Sequence, residues 1–124
     1  MLARVALQTT ADPVAVAGTV AAFALLLSVT AHVAARNVLG DVKPVKALGV
    51  GPVPAMLATL PQAFDVPSFL ALGVALAADA TAFHLLYDLR PRLTAYVTLI
   101  HVVVTIILGA ILFGVVALLA SLPG

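Results

Sequence analysis

Four strongly apolar stretches, at about 13–35, 47–64, 66–87 and 93–120, occupy most of this 124-residue chain, and they fix the medium in which it can fold. Together they leave only short polar segments between them. Hydrophobic residues make up 64% of the chain and charged residues 9%, with a mean hydropathy of +1.24. Soluble domains carry about 25% charged residues. This chain has too few charges to cover a water-facing surface, so the sequence predicts a single integral membrane domain over residues 1–124, surrounded by the lipid bilayer.

A spanning helix needs about 20 apolar residues across a hydrocarbon core of about 30 Å. The first stretch meets this, with Asp12-Pro13 fitting an N-cap followed by proline at the first helical position. The third meets it despite Asp79 within it, and the fourth exceeds it, implying tilt or projection beyond the bilayer. The second contains Gly49, Gly51, Pro52 and Pro54 within six residues, which must kink or break a helix. The expected fold class is therefore all-α, a four-helix transmembrane bundle whose second helix is kinked or broken at Gly49–Pro54.

Charge placement gives an orientation. The segment 36–46 carries Arg36, Lys43 and Lys46 against Asp41, and the segment 88–92 carries Arg90 and Arg92 against Asp88. Both basic loops fall on one side only if the second stretch crosses. The bias of basic loops toward the cytoplasm favours that arrangement. The sequence thus predicts four crossings in a cytoplasmic membrane, with loops 36–46 and 88–92 in the cytoplasm and both termini outside, although Arg4 would then sit on the outer side. Met1–Leu7 holds one Arg and only a few apolar residues, and the following apolar run is too long for the core of a cleaved signal peptide. With no Trp, Tyr87 and Tyr96 remain as interface anchors beside the second basic loop. Small residues four apart (Gly18 and Ala22, Ala24 and Ser28, Ala71 and Ala75, Gly73 and Ala77, Ala110 and Gly114) suit close helix packing where lipid gives no hydrophobic drive.

The polar residues within the apolar stretches carry the only chemistry. An ionisable group at mid-bilayer costs roughly 2.5–3.5 kcal/mol, so it needs a partner or a wet cavity. Asp79 lies near the midplane of the third helix. In an antiparallel hairpin turning near Pro91, Asp79 is level with about Val103, bracketed by His101 and Thr105. Thr94, Thr98, His101 and Thr105 share one face of the fourth helix and are expected to turn inward. His84 and Asp88, four apart, are placed to pair near the cytoplasmic interface, and His32 falls on a face with Gly18, Ala21, Leu25 and Ser28.

Three readings of this set compete. In one, Asp79 bonds to His101 or Thr105 and locks the bundle. In the second, Asp79, Thr98, His101 and Thr105 form a proton or cation path, with His84 and Asp88 as its cytoplasmic exit; broken helices often line such sites. In the third, two or three of His32, His84 and His101 hold a metal or haem, although no spacing matches a metal motif and no metal or cofactor is expected.

Enzymatic chemistry has no support. Cysteine is absent, Ser28, Ser68 and Ser121 lack a His–Asp arrangement, and Gly49-Val50-Gly51-Pro52 lacks the lysine of a phosphate loop. A net charge of +1 offers no nucleic-acid footprint. The expected role is a non-enzymatic membrane component or subunit, with a small proton- or cation-coupled transporter and a haem- or metal-binding protein as alternatives. Partners would be a second copy or another membrane protein, held within the bilayer because the loops are short.

The run Thr30-Ala31-His32-Val33-Ala34-Ala35-Arg36-Asn37-Val38-Leu39-Gly40-Asp41-Val42, followed by Val50-Gly51-Pro52, resembles small multi-pass membrane proteins of halophilic archaea grouped as an uncharacterised family. The resemblance implies a four-helix protein of the cytoplasmic membrane and assigns no activity and no functional residue.

Overall fold

The computed structural model describes residues 12–59, 61 and 64–123. Arg4 and the N-terminal segment read above for a signal peptide lie outside the described residues. Among the described residues five helices form, α1 (Pro13–Leu39), α2 (Pro44–Val50), α3 (Pro52–Leu57), α4 (Ser68–Tyr87) and α5 (Pro91–Ala120), and no strand. α2 and α3 together make the broken second helix of a four-helix bundle.

Local chemistry sets the ends. Asp12 Oδ1 accepts the Val14 N–H at 3.0 Å and Pro13 needs no donor at the first position, so α1 starts there. Gly40, at φ +86°, turns the chain out of α1 while its N–H bonds the Arg36 carbonyl. α4 ends on Asp88, a non-glycine residue in the left-handed region at φ 52°.

The second passage breaks at Gly51-Pro52. Pro52 has no N–H to continue the ladder and opens α3 as its first residue. Gly51 itself keeps right-handed helical angles; what demands glycine is space. A Cβ there would overlap the Ser28 hydroxyl and backbone nitrogen and come within 2.5 Å of the Ala24 carbonyl. The Ala24/Ser28 pair is thus a seat for the Gly51 backbone. Of the other small pairs, Ala71 is buried, whereas Gly18, Gly73 and Gly114 face open space.

The packed core is built from Ala31, Ala34 and Ala35 of α1, Ala47 and Val50 of α2, Ala82, Phe83 and Tyr87 of α4, and Leu89 and Val97 at the start of α5. These residues gather the end of α1, the start of α2, the end of α4 and the start of α5 at one end of the bundle. Both basic loops lie there, and Lys46 Nζ sits 5.5 Å from the centre of the Tyr87 ring. From that end the second passage runs to the other, where Pro54 and Ala58 approach Phe23, Ser68 and Ala71. The chain therefore passes along the bundle four times. α2 begins at Pro44, with proline at its first position, and so takes in Lys46 ahead of the apolar stretch. Tyr87 is buried and does not serve as an interface anchor; Tyr96 is exposed.

Away from the basic end the packing loosens. α5 buries Thr94, Val97 and His101 and nothing beyond them. Ile107, Ile111, Leu112 and Phe113 are exposed, as are Val14 and Leu25 on α1 and Leu72 on α4. Exposed aliphatic surface of this extent requires an apolar surrounding. α1, α4 and α5 are each long and apolar enough to cross a membrane. α5, at 30 residues, reaches about 45 Å and outruns its neighbours.

Candidate functional site

Three helices bring polar groups to one buried point. Asp79 of α4 and His101 of α5, 3% and 2% exposed, meet with His101 Nδ1 2.6 Å from Asp79 Oδ2. The hairpin around Pro91 sets this register. On its other side, His101 Nε2 lies 2.9 Å from Thr30 Oγ1 and 3.1 Å from the Leu27 carbonyl of α1. Thr105, one turn beyond His101, donates its hydroxyl to Thr30 Oγ1 at 2.9 Å. Phe83 stands edge-on to the imidazole, at 5.4 Å between centroids and 81° between planes, and fixes the ring's orientation.

The proton count follows from the donors and acceptors. The Leu27 carbonyl can only accept. The Thr30 hydroxyl has one hydrogen, and it lies within reach of both the Leu27 carbonyl (3.0 Å) and His101 Nε2. When Thr30 donates to Leu27, Nε2 must carry a proton; one further proton is then shared along the Nδ1–Oδ2 line, and the pair is neutral overall. When Thr30 turns its hydrogen to Nε2, that nitrogen must be bare, and the pair carries one negative charge. The network thus accommodates two proton counts through rotation of a single hydroxyl.

Asp79 Oδ1 has no partner although it is buried. An unsatisfied buried carboxylate oxygen is costly, because its desolvation is uncompensated. Asp79, His101 and Thr105, with Ser68, are the polar residues in the wall of a cavity of about 500 Å³ whose other described lining is apolar, Phe23, Ala58 and Ala75 among it. A second cavity, of about 360 Å³ beside α1 and α3, has Thr19 and Thr59 as its polar lining among the described residues, and both hydroxyls are spent on backbone carbonyls three or four residues earlier.

Of the residues marked from sequence, Asp79, His101 and Thr105 are brought together. Thr98 is half-buried one turn from His101, its hydroxyl without a partner, and it does not join the network. His84 and Asp88 are not paired: the left-handed turn at Asp88 carries its side chain away, and His84 Nδ1–H donates to the Leu89 carbonyl at 2.6 Å. His32 is half-buried with Nδ1 unpartnered. The face of α1 that turns inward is Leu27, Thr30, Ala31, Ala34 and Ala35 with Ser28; Gly18, Ala21 and Leu25, grouped with His32 in the sequence, face outward. Thr30 was the residue missed. Its one sequence signal is the small-residue row Ala24, Ser28, Ala31, Ala35, which runs beside it.

No group of three or more His, Cys, Asp or Glu side chains able to hold a metal occurs among the described residues. Both nitrogens of His101 are occupied by Asp79 and by α1, so a metal or haem iron would have to break the network to reach it.

No curated protein and no solved structure matches the chain. A family model matches residues 10–123, nearly the whole length, and the chain therefore belongs to DUF7473, a family of unknown function.

Proposed function

We propose that the protein is a non-enzymatic, multi-pass component of the cytoplasmic membrane that works by association within the bilayer, with a second copy or with another membrane protein. Its termini lie outside and the loops 36–46 and 88–92 face the cytoplasm. The observation that carries this reading is the far half of α5: from Ile107 to Leu119 its large side chains, Phe113 foremost, are exposed, Leu108 alone being half-buried. The polar loops that could hold a partner in water are short. The absence of native cysteine makes a clean test available. Single cysteines at Asp41, Asp88 and Ser121 are reacted in intact cells with a membrane-impermeant maleimide. Labelling at 121 alone is expected; labelling at 41 or 88 in sealed cells overturns the orientation. Cross-linking from a cysteine at Phe113 to a second copy or a distinct membrane protein is expected, and a strictly monomeric product overturns the association.

A second reading, proton- or cation-coupled transport, is favoured by one specific observation, the partnerless Oδ1 of buried Asp79. Groups of this kind inside membranes mark ion and proton routes. Reconstituted protein should then dissipate an imposed proton or cation gradient, and Asp79→Asn should abolish the flux. Equal flux in the two proteins removes this reading.

A further inference from the structure

Arg92, Tyr96, Leu99, Val103 and Ile106 recur at intervals of four, three, four and three along α5, and all are exposed. At ~100° per residue they lie on the side of the helix opposite Thr94, Val97 and His101, the residues that α5 buries. One face thus carries a cation at its start, a phenol ring one turn on, and three branched aliphatic side chains beyond. We infer that this face seats an anionic phospholipid, with its phosphate on Arg92 and one acyl chain along Leu99, Val103 and Ile106. The inference rests on the bilayer surroundings proposed above. It is independent of association through the far half of α5, which begins where this face of the near half ends.

Charge selects the head. Arg36, Lys43, Lys46, Arg90 and Arg92, all the Lys and Arg among the described residues, belong to the two loops at this end, against Asp41 and Asp88. Buried Leu89 and half-buried Val42 tie both loops to the same packed core. Arg36 and Asp41, 3.8 Å apart, are both exposed, and such a pair cancels little of the field beyond it. Arg92 pairs with no carboxylate among the described residues, and neither α2 nor α5 has an acid in its first turn. A surface of this sign draws anionic headgroups, each cation near the membrane surface contributing roughly a five-fold preference.

Depth selects a lipid over a soluble anion. From Arg92 to Ile106 the helix rises about 21 Å, the thickness of one leaflet with its headgroup. Tyr96 falls at the level where an amphipathic ring sits best, between headgroup and chain. A free phosphate would meet Arg92 and none of the apolar side chains beyond it. A molecule with a charged head and an apolar tail meets the whole face.

The test uses the whole protein carrying Leu99→Trp, the chain having no native tryptophan, in vesicles of phosphatidylcholine and phosphatidylglycerol. Bromines placed mid-chain on one lipid or the other quench the introduced indole when that lipid lies beside it. The expected association constant for phosphatidylglycerol is about five-fold above that for phosphatidylcholine. Arg92→Gln should bring the ratio close to one, and Arg92→Lys should keep most of it. Salt at about 1 M, where the Debye length is about 3 Å, should lower it in the parent. Phe113→Trp, a reporter on the far half of α5, should give a ratio near one, and locates the preference if Arg92→Gln fails to fold. Equal quenching by the two lipids overturns the inference, as does a ratio unmoved by salt, one that survives Arg92→Gln, or one equal at both reporters. Loss of the preference to excess glycerol phosphate in solution assigns the cations to a soluble anion and overturns the lipid. All of these outcomes leave the bilayer surroundings in place; an indole that neither lipid quenches overturns the surroundings themselves.

Discussion

At the residue scale, the Asp79–His101 contact was legible in the sequence. An antiparallel hairpin has one register once its turn is located, and Pro91 locates the turn. Thr30 was not legible for a complementary reason. α1 is apolar on nearly every side, so hydrophobic periodicity gives no phase, and only the Gly51 contact on Ala24 and Ser28 fixes which face turns inward. That contact gives a sharp expectation. Gly51→Ala forces a methyl group into the Ser28 backbone, which cannot retreat as a flexible side chain could. Overpacking of this kind costs about 1–3 kcal/mol. A lower midpoint in SDS-induced unfolding, with helicity retained before the transition, is the outcome to look for; an unchanged midpoint would mean that α1 and α2 lie further apart. The pair itself is expected to couple strongly. His101→Leu alone leaves a second oxygen of Asp79 unpartnered, so it should destabilise by about 3 kcal/mol or more, whereas His101→Leu combined with Asp79→Leu should recover much of that loss. A double-mutant cycle in which the two changes simply add would show that the two side chains do not interact.

At the element scale, the broken second passage was legible because proline and glycine act locally. Its start at Pro44 was not legible because Lys43 and Lys46 look like loop residues. The stem of Lys46 instead runs within α2 and brings the ammonium over Tyr87, at the end where both basic loops gather. The end of α4 shows the opposite case, where a local cost is visible only in the backbone. Asp88 holds φ 52°, which costs a residue with a Cβ roughly 1–2 kcal/mol, and no hydrogen bond from its side chain offsets this. Asp88→Gly is therefore expected to stabilise the bundle by about 1 kcal/mol. A raised unfolding midpoint would check it. A lowered midpoint would mean that the Asp88 carboxylate has a partner of its own.

At the scale of the whole molecule, the bundle is packed at the basic end and open at the other. Small side chains explain the first: Ala31, Ala34, Ala35, Ala47 and Ala82 let four segments close around Phe83 and Val97. The open end has large side chains turned outward and a cavity between the helices. Composition made the apolar exterior legible, but not this asymmetry, because alanine and leucine score alike as apolar while only alanine permits close approach. The asymmetry separates stability from association. Ile107 and Phe113 touch no core residue, so replacing both with alanine should leave the unfolding midpoint within about 0.5 kcal/mol of the parent. The same change removes much of the apolar surface that the far half of α5 offers to a neighbouring helix. Cross-linking or energy transfer between labelled copies, or to a co-purifying membrane protein, should therefore fall while the fold holds. If the midpoint drops instead, the far half of α5 supports the bundle itself, and association must be sought on the exposed faces of α1 and α4.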